Sequence, residues 1–223
     1  MNSFATSLIN YIRYAVYLIV FIGFFPAVAG SYDDFFTAIA QDDGVRIKQL
    51  LKRGFDPNTI SPTGFHGLVL AIRTPSPRAI QTLLDVPGIA VEVRTLQDES
   101  PLMLAALAGM NGVCERLIAL NADVNKTGWT PLHYAASRSQ VDTVRLLLSH
   151  FAYVDAESPN RTTPLMMAAM YGDTATVQAL LDAGADASLL NDKNMSAVDF
   201  SVQGGKEESA RLIGRYLTKQ GTK

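Results

Sequence analysis

Three histidines (His66, His133 and His150), one cysteine (Cys114) and seven methionines are the residues here best suited to nucleophilic or metal chemistry. The stretch TPLHYAASRSQVDTVRLLLSHFAYVDA, Thr130 to Ala156, sets a proline, a histidine and an arginine close together, as a catalytic site does. None of the histidines, however, has a carboxylate and a nucleophile at a recognised spacing. H-E-x-x-H, G-x-S-x-G, C-x-x-C and phosphate-cradling glycine loops are all absent. Enzymatic chemistry has no local motif to carry it, which leaves open only a triad assembled from distant positions.

Cys114 lies in GVCERLIAL, on the apolar side of a helical pattern. A lone cysteine there behaves as a small hydrophobe, and it cannot form an internal disulfide. Met166, Met167 and Met170 share one short helical stretch. Thioethers can hold soft copper, but methionine also fills core gaps, and that accounts for at least part of this set.

The elements that must position these residues repeat. Pro131 and Pro164 stand 33 residues apart in TPLHYAA and TPLMMAA, and Pro101 lies 30 before Pro131 in SPLMLAA. SAVDFSV downstream, and HGLVLAI and DDFFTAIA upstream, fit the same frame more loosely. The second halves align as well: VRLLLSHFAYVD with VQALLDAGADAS, CERLIALNADVN, IKQLLKRGFDPN and IQTLLDVPGIAVE. Each unit therefore predicts a short helix, a tight turn, a longer helix and a polar loop. Thr130 and Thr163 are placed to cap the first helix, with proline at its first turn, where a missing N–H costs nothing. Gly172 and Gly205 are expected to supply turns between helices, while RTPSPR does so in the second unit, with Ser76 at the cap and Pro77 first in the helix. Leu147, Leu148, Leu180 and Leu181 are the expected inter-unit core. One unit cannot bury its apolar face alone, so the units must stack.

The pattern resembles the ankyrin repeat, T-P-L-H-x-A-A, a turn glycine, V-x-x-L-L and G-A-x-V-N. The resemblance runs from about Tyr32 to about Lys219 and is strongest over Ser100–Trp129, Thr130–Thr162 and Thr163–Met195. It implies an all-α solenoid of about six helix-turn-helix units with short hairpin-like loops. The first and last units depart from the pattern, with charged DDFF and with Lys206, Glu207, Glu208, Arg211 and Arg215, as solvated end caps do. The loop NKTGW is about three residues shorter than its neighbours. His133 takes the family's structural histidine position, and Met103 and Met166 take it in the flanking units. Packed helices lie about 8–10 Å apart, whereas metal–ligand bonds are about 2–2.3 Å, so these three cannot easily share an ion. No metal and no cofactor are expected.

The resemblance also says where a partner would sit: on the concave face, at the loop residue before each T-P-L unit and the two residues after A-A. The loop positions are Phe65, Glu99, Trp129, Thr162 and Met195. The inner-helix positions are Arg73, Thr74, Leu107, Ala108, Ser137, Arg138, Met170, Tyr171 and Gln203. Tryptophan, tyrosine and arginine are the types enriched at interface hot spots. This selects Phe65, Arg73, Trp129, Arg138, Met170 and Tyr171 as candidate partner-binding residues, with Trp129, Arg138 and Tyr171 expected to form one patch. The alternative for Trp129 is packing on its own shortened loop.

Composition limits the partners. The chain has 223 residues, 48% hydrophobic and 18% charged, with net charge −2, so the basic footprint of a nucleic-acid binder is absent. At the N-terminus, Arg13 precedes an apolar run from Ala15 to Phe25 and then Ala27-Val28-Ala29. That order predicts a signal peptide over residues 1–29, with residues 30–223 expected to form the repeat domain. The run is shorter than the roughly 20 apolar residues of a spanning helix. The expectation is an exported, periplasmic protein that binds another protein. A scaffold tethered to the membrane by an uncleaved N-terminus is the alternative, and a metal-handling or enzymatic protein the more distant one.

Overall fold

Capping chemistry sets where the helices begin. The computed structural model describes residues 30–221, and in it Thr130 Oγ1 accepts the N–H of His133 at 3.4 Å. His133 Nδ1 in turn accepts the N–H of Thr130 at 3.2 Å. This reciprocal box satisfies two amides that a helix start otherwise leaves orphaned. The same box recurs with other atoms. Met103 Sδ faces the Ser100 N–H at 3.4 Å and Met166 Sδ that of Thr163 at 3.5 Å. Asp199 Oδ2 accepts from Ser196 at 2.7 Å. In the second unit His66 is itself the cap, its Nδ1 accepting from Leu68 N at 3.2 Å.

The resulting helices come in six helix-turn-helix pairs among the described residues, as the repeat count implies. They are α1 (30–40) with α2 (Gly44–Lys52), α3 (Gly67–Arg73) with α4 (Pro77–Leu84), and α5 (Pro101–Leu107) with α6 (Asn111–Ala119). Then follow α7 (Pro131–Ser137) with α8 (Val141–Ser149), α9 (Pro164–Tyr171) with α10 (Thr174–Asp182), and α11 (Ala197–Gln203) with α12 (Glu207–Gly221). First helices pack on first helices and second on second, giving an inner and an outer row. Among the described residues there is no strand, only an isolated bridge between Ile60 and His66.

The core follows the repeat. Leu68, Leu102, Leu132 and Leu165 are fully buried in the inner row, and Leu117, Leu147 and Leu180 in the outer row. The paired alanines Ala105-Ala106, Ala135-Ala136 and Ala168-Ala169 are also fully buried, where larger side chains would separate adjoining helices. Leu148 differs from expectation: it is half-buried at the edge of this core, whereas Leu147, Leu180 and Leu181 lie inside it.

Among the described residues fourteen have left-handed backbone, and all fall into three series. Asp42, Gly109, Ser139 and Gly205 turn the chain between paired helices. Gly54, Asn121, Phe151 and Gly184 follow the C-caps of outer helices, Gly88 lies three residues past that of α4, and Gly64, Asp98, Gly128, Arg161 and Asn194 close the loops. Gly205 thus makes its turn by conformation, as expected. Gly172 does not: its φ is −79°, and it is needed for clearance. A Cβ there would stand 2.7 Å from the Ala168 carbonyl oxygen and 2.8 Å from that of Ala136. Ser76 also differs in detail. It occupies the cap position of α4, but its hydroxyl donates to Thr74 O at 2.8 Å and makes no cap bond.

Four loops are small hairpins held by a side-chain oxygen. Ser61 Oγ, Thr95 Oγ1, Ser158 Oγ and Asn191 Oδ1 accept the N–H of Phe65, Glu99, Thr162 and Met195 at 3.0–3.2 Å. The shortened loop has no such oxygen. Its Lys126 is instead buried, with Nζ on the Asp98 carboxylate of the preceding loop and donating to Thr127 O at 3.0 Å.

The outer row is uneven. Between α4 and α6 it opens into a cavity of about 490 Å³ walled by Pro75, Pro77, Ile80, Leu84, Met110 and Val113. Gly112 adds no side chain to fill it.

Candidate partner-binding face

The loop residue before each cap and the inner helix that follows it bring the candidate residues onto one side of the inner row. Phe65 is half-buried, and the Arg73 guanidinium lies 4.8 Å from its ring centroid, a cation–π pair spanning α3 from end to end. Arg73 Nη1 also reaches to 3.9 Å from Glu99 Oε2. Glu99 is the centre of this region. Its side chain is mostly buried, and it accepts from Tyr134 Oη and from Thr95 Oγ1, each at 3.2 Å. Burial, reinforced by the Glu99 charge, pushes the Tyr134 phenol up to about 12. The phenol therefore stays a donor, fixed on a carboxylate that links Arg73 of unit two with Tyr134 of unit four.

Trp129 is half-buried, its ring edge-on to His133 with centroids 5.2 Å apart. It walls a shallow cavity of about 230 Å³ with Leu107, His133, Tyr134, Ser137 and Met167, contributed by three successive units. Met170 is half-buried against the core, and Tyr171, the last residue of α9, is 55% exposed. Arg138, the C-cap of α7, is exposed. Trp129 and Arg138 thus stand at opposite ends of a seven-residue helix, about 10 Å long at 1.5 Å per residue. A ligand touching both must extend along it. Thr162 is a correction. It is buried, and its carbonyl accepts a hydrogen bond from His133 Nε2 at 2.8 Å.

Tyr134 and Met167 lie outside a stripe of loop and helix-end positions, and Glu99 lies on it but is not among the residue types selected. Tyr134 and Met167 fill the variable place in T-P-L-H-x-A, and an aromatic or a methionine beside two alanines is the signal they give.

The groups with nucleophilic or ligating chemistry have structural work. His133 is fully buried, and burial lowers its pKa to about 4, so its neutral ring accepts at Nδ1 and donates at Nε2. Cys114 is fully buried, and burial pushes its thiol up to about 12, far from nucleophilic. Among the described residues no cluster of three or more His, Cys, Asp or Glu could hold a metal ion, and no helix is long and apolar enough to cross a membrane. The leader expected over residues 1–29 lies outside the described residues.

Comparison with known proteins agrees with this geometry. Residues 68–158 match the family model for ankyrin repeats, in three copies, and residues 160–194 match that for the ankyrin repeat. The neurogenic locus notch homolog protein 1 of Xenopus tropicalis is 32% identical over 124 residues, covering 54% of this chain and 5% of that protein. The B-cell lymphoma 3 protein homolog of Mus musculus is 29% identical over 155 residues, 66% of this chain and 35% of the other. The chain therefore spans only a small part of these relatives' length. Among solved structures, an ankyrin repeat domain from Acinetobacter baumannii AYE superposes with a TM-score of 0.72 at 26% identity. That match covers 82% of this chain and 96% of the other.

Proposed function

Because the chain belongs to the ankyrin-repeat family, whose members generally mediate protein–protein interaction, we propose that it binds another protein along the concave, inner-row face. The observation that carries this reading is the cavity that Trp129, Tyr134 and Met167 wall together from successive units. Met170 and Tyr171 end the helix that carries Met167, and Phe65, paired with Arg73, precedes α3. An apolar partner side chain fits the cavity, with Arg138 exposed at the C-terminal end of α7, the helix that carries Tyr134. Truncating a buried anchor at a hot spot costs about 2 kcal/mol or more, roughly a thirtyfold loss of affinity.

Trp129→Ala and Arg138→Ala should each weaken binding to a partner recovered by cross-linking, measured by calorimetry, and leave the circular dichroism melt within a few degrees of wild type. Unchanged affinity in both variants moves the site off this face.

The proposal extends to export. The apolar run Ala15–Phe25 followed by Ala27-Val28-Ala29 supports cleavage after Ala29 and a periplasmic mature chain beginning at Gly30. Intact-mass measurement of the protein from its native compartment should give the mass from Gly30 onward. A mass that includes Met1 supports the tethered alternative instead.

A further inference from the structure

Unit four departs from the other units in the loop after α8. In three other units the residue after the outer-helix C-cap is a left-handed glycine or asparagine, at Gly54, Asn121 and Gly184. Here it is Phe151, with φ 63° and 84% exposed. A phenylalanine gains nothing from that backbone, which favours residues lacking a bulky Cβ substituent. Two residues on, where three of the other units carry Asp56, Asp123 and Asp186, stands Tyr153, 68% exposed. Neither ring is spent on the core.

Both are nonetheless presented rigidly. Asn125, from the preceding loop, donates through Nδ2 to Phe151 O and accepts the Tyr153 N–H at Oδ1, each at 2.8 Å. The surroundings are acidic. Asp123 Oδ1 accepts the N–H of Asn125, Asp155 that of Asp186, and Asp186 that of Ser188. None of these three carboxylates has an ion-pair partner among the described residues. Burial and the nearby Asp186 hold the Asp155 carboxyl above its ordinary range, as where no cation is supplied. The nearest arginine on α8, Arg145, is engaged with Asp142 at 3.6 Å.

We infer that Phe151 and Tyr153, flanked by Asp123, Asp155 and Asp186, form a second docking site, on the outer-row side, for a protein segment bearing lysine and arginine. Exposed aromatic faces attract ammonium and guanidinium groups, and the unpaired carboxylates add the complementary charge. The site is separate from the inner-row face, so the two readings stand or fall independently.

The test uses the full chain and two synthetic probes, a peptide rich in lysine, arginine and leucine, and its charge-reversed twin with glutamate and aspartate. Amide chemical shifts report where each binds. The basic peptide should move the resonances of residues 150–156 and the acidic one should not. Phe151→Gly combined with Tyr153→Ser should weaken the basic peptide about tenfold and melt no lower than wild type, since glycine relaxes the left-handed position. Asp123→Asn with Asp186→Asn should weaken it too, and Trp129→Ala should leave it unchanged. The inference is overturned if both peptides bind alike, if neither shifts these residues, if the aromatic variant binds as wild type, or if Trp129→Ala abolishes binding. It is equally overturned if the aromatic residues instead drive concentration-dependent self-association, or adsorption to phosphatidylglycerol vesicles, without moving the peptide titration.

Discussion

His133 couples one proton to the stability of the whole inner row. Its ring accepts from Thr130 and donates to Thr162, the last residue before the next unit, an arrangement only the neutral form can keep. Burial puts its folded-state pKa near 4, against an ordinary value of 6.5. As pH falls, the unfolded chain takes up the proton first. The stabilisation is therefore complete above about pH 6.5, shrinks between 6.5 and about 4, and levels off below that. The full effect is roughly 3 kcal/mol at about 1.4 kcal/mol per pH unit. Met103 and Met166 hold the same position in the flanking units, so His133→Met should fold and lose most of this acid sensitivity. His66, whose pKa burial also lowers, keeps a residue of it. Urea unfolding at a series of pH values tests this, and curves for the two proteins that stay parallel from pH 7 to 4 contradict it. The equivalence of these positions was legible in the spacing. That a thioether sulfur would stand in for an imidazole nitrogen at the cap was not, since methionine in a helix is first read as core filling.

At the scale of the element, helix starts were legible and loop interiors were not. Serine or threonine before proline identifies a cap and a first turn by local chemistry alone, and Ser100, Thr130 and Thr163 behave accordingly. Gly172 and Ser76 differ because their roles depend on what approaches them. One is needed where two carbonyl oxygens crowd its Cα, and the other turns its hydroxyl back to Thr74. Lys126 is the clearest case. A lysine in a polar loop reads as solvated, yet with the loop cut short it must neutralise Asp98 from a buried position. The packing of α8 gives the element-scale prediction. Leu147 is fully buried, and α8 packs against both α6 and α10. Leu147→Ala should cost about 2–5 kcal/mol, read as a lower denaturation midpoint. A midpoint unchanged within error places the contact register elsewhere.

In the whole molecule, each unit rests on its neighbours, so stability is close to a sum of units and the interfaces between them. The candidate face was legible as a row of positions, and Phe65, Arg73, Trp129, Met170 and Tyr171 lie along it. Its centre was not, because the Glu99 carboxylate is shared by Thr95, Arg73 and Tyr134 only once three units are stacked. The cavity between α4 and α6 has a consequence of the same collective kind. There the outer helices meet least, and α3 lies less closely on α5 than α5, α7 and α9 lie on their successors. In a linear array the weakest joint divides the cooperative units. Amide hydrogens of α1–α4 should therefore exchange with solvent as one block, faster than those of α5–α10, whose protection should track global unfolding. Native-state hydrogen exchange showing uniform protection across that joint would mean the array opens as a single body. The expected division instead makes the first two units a section that can come undone and re-form while the remaining four stay folded.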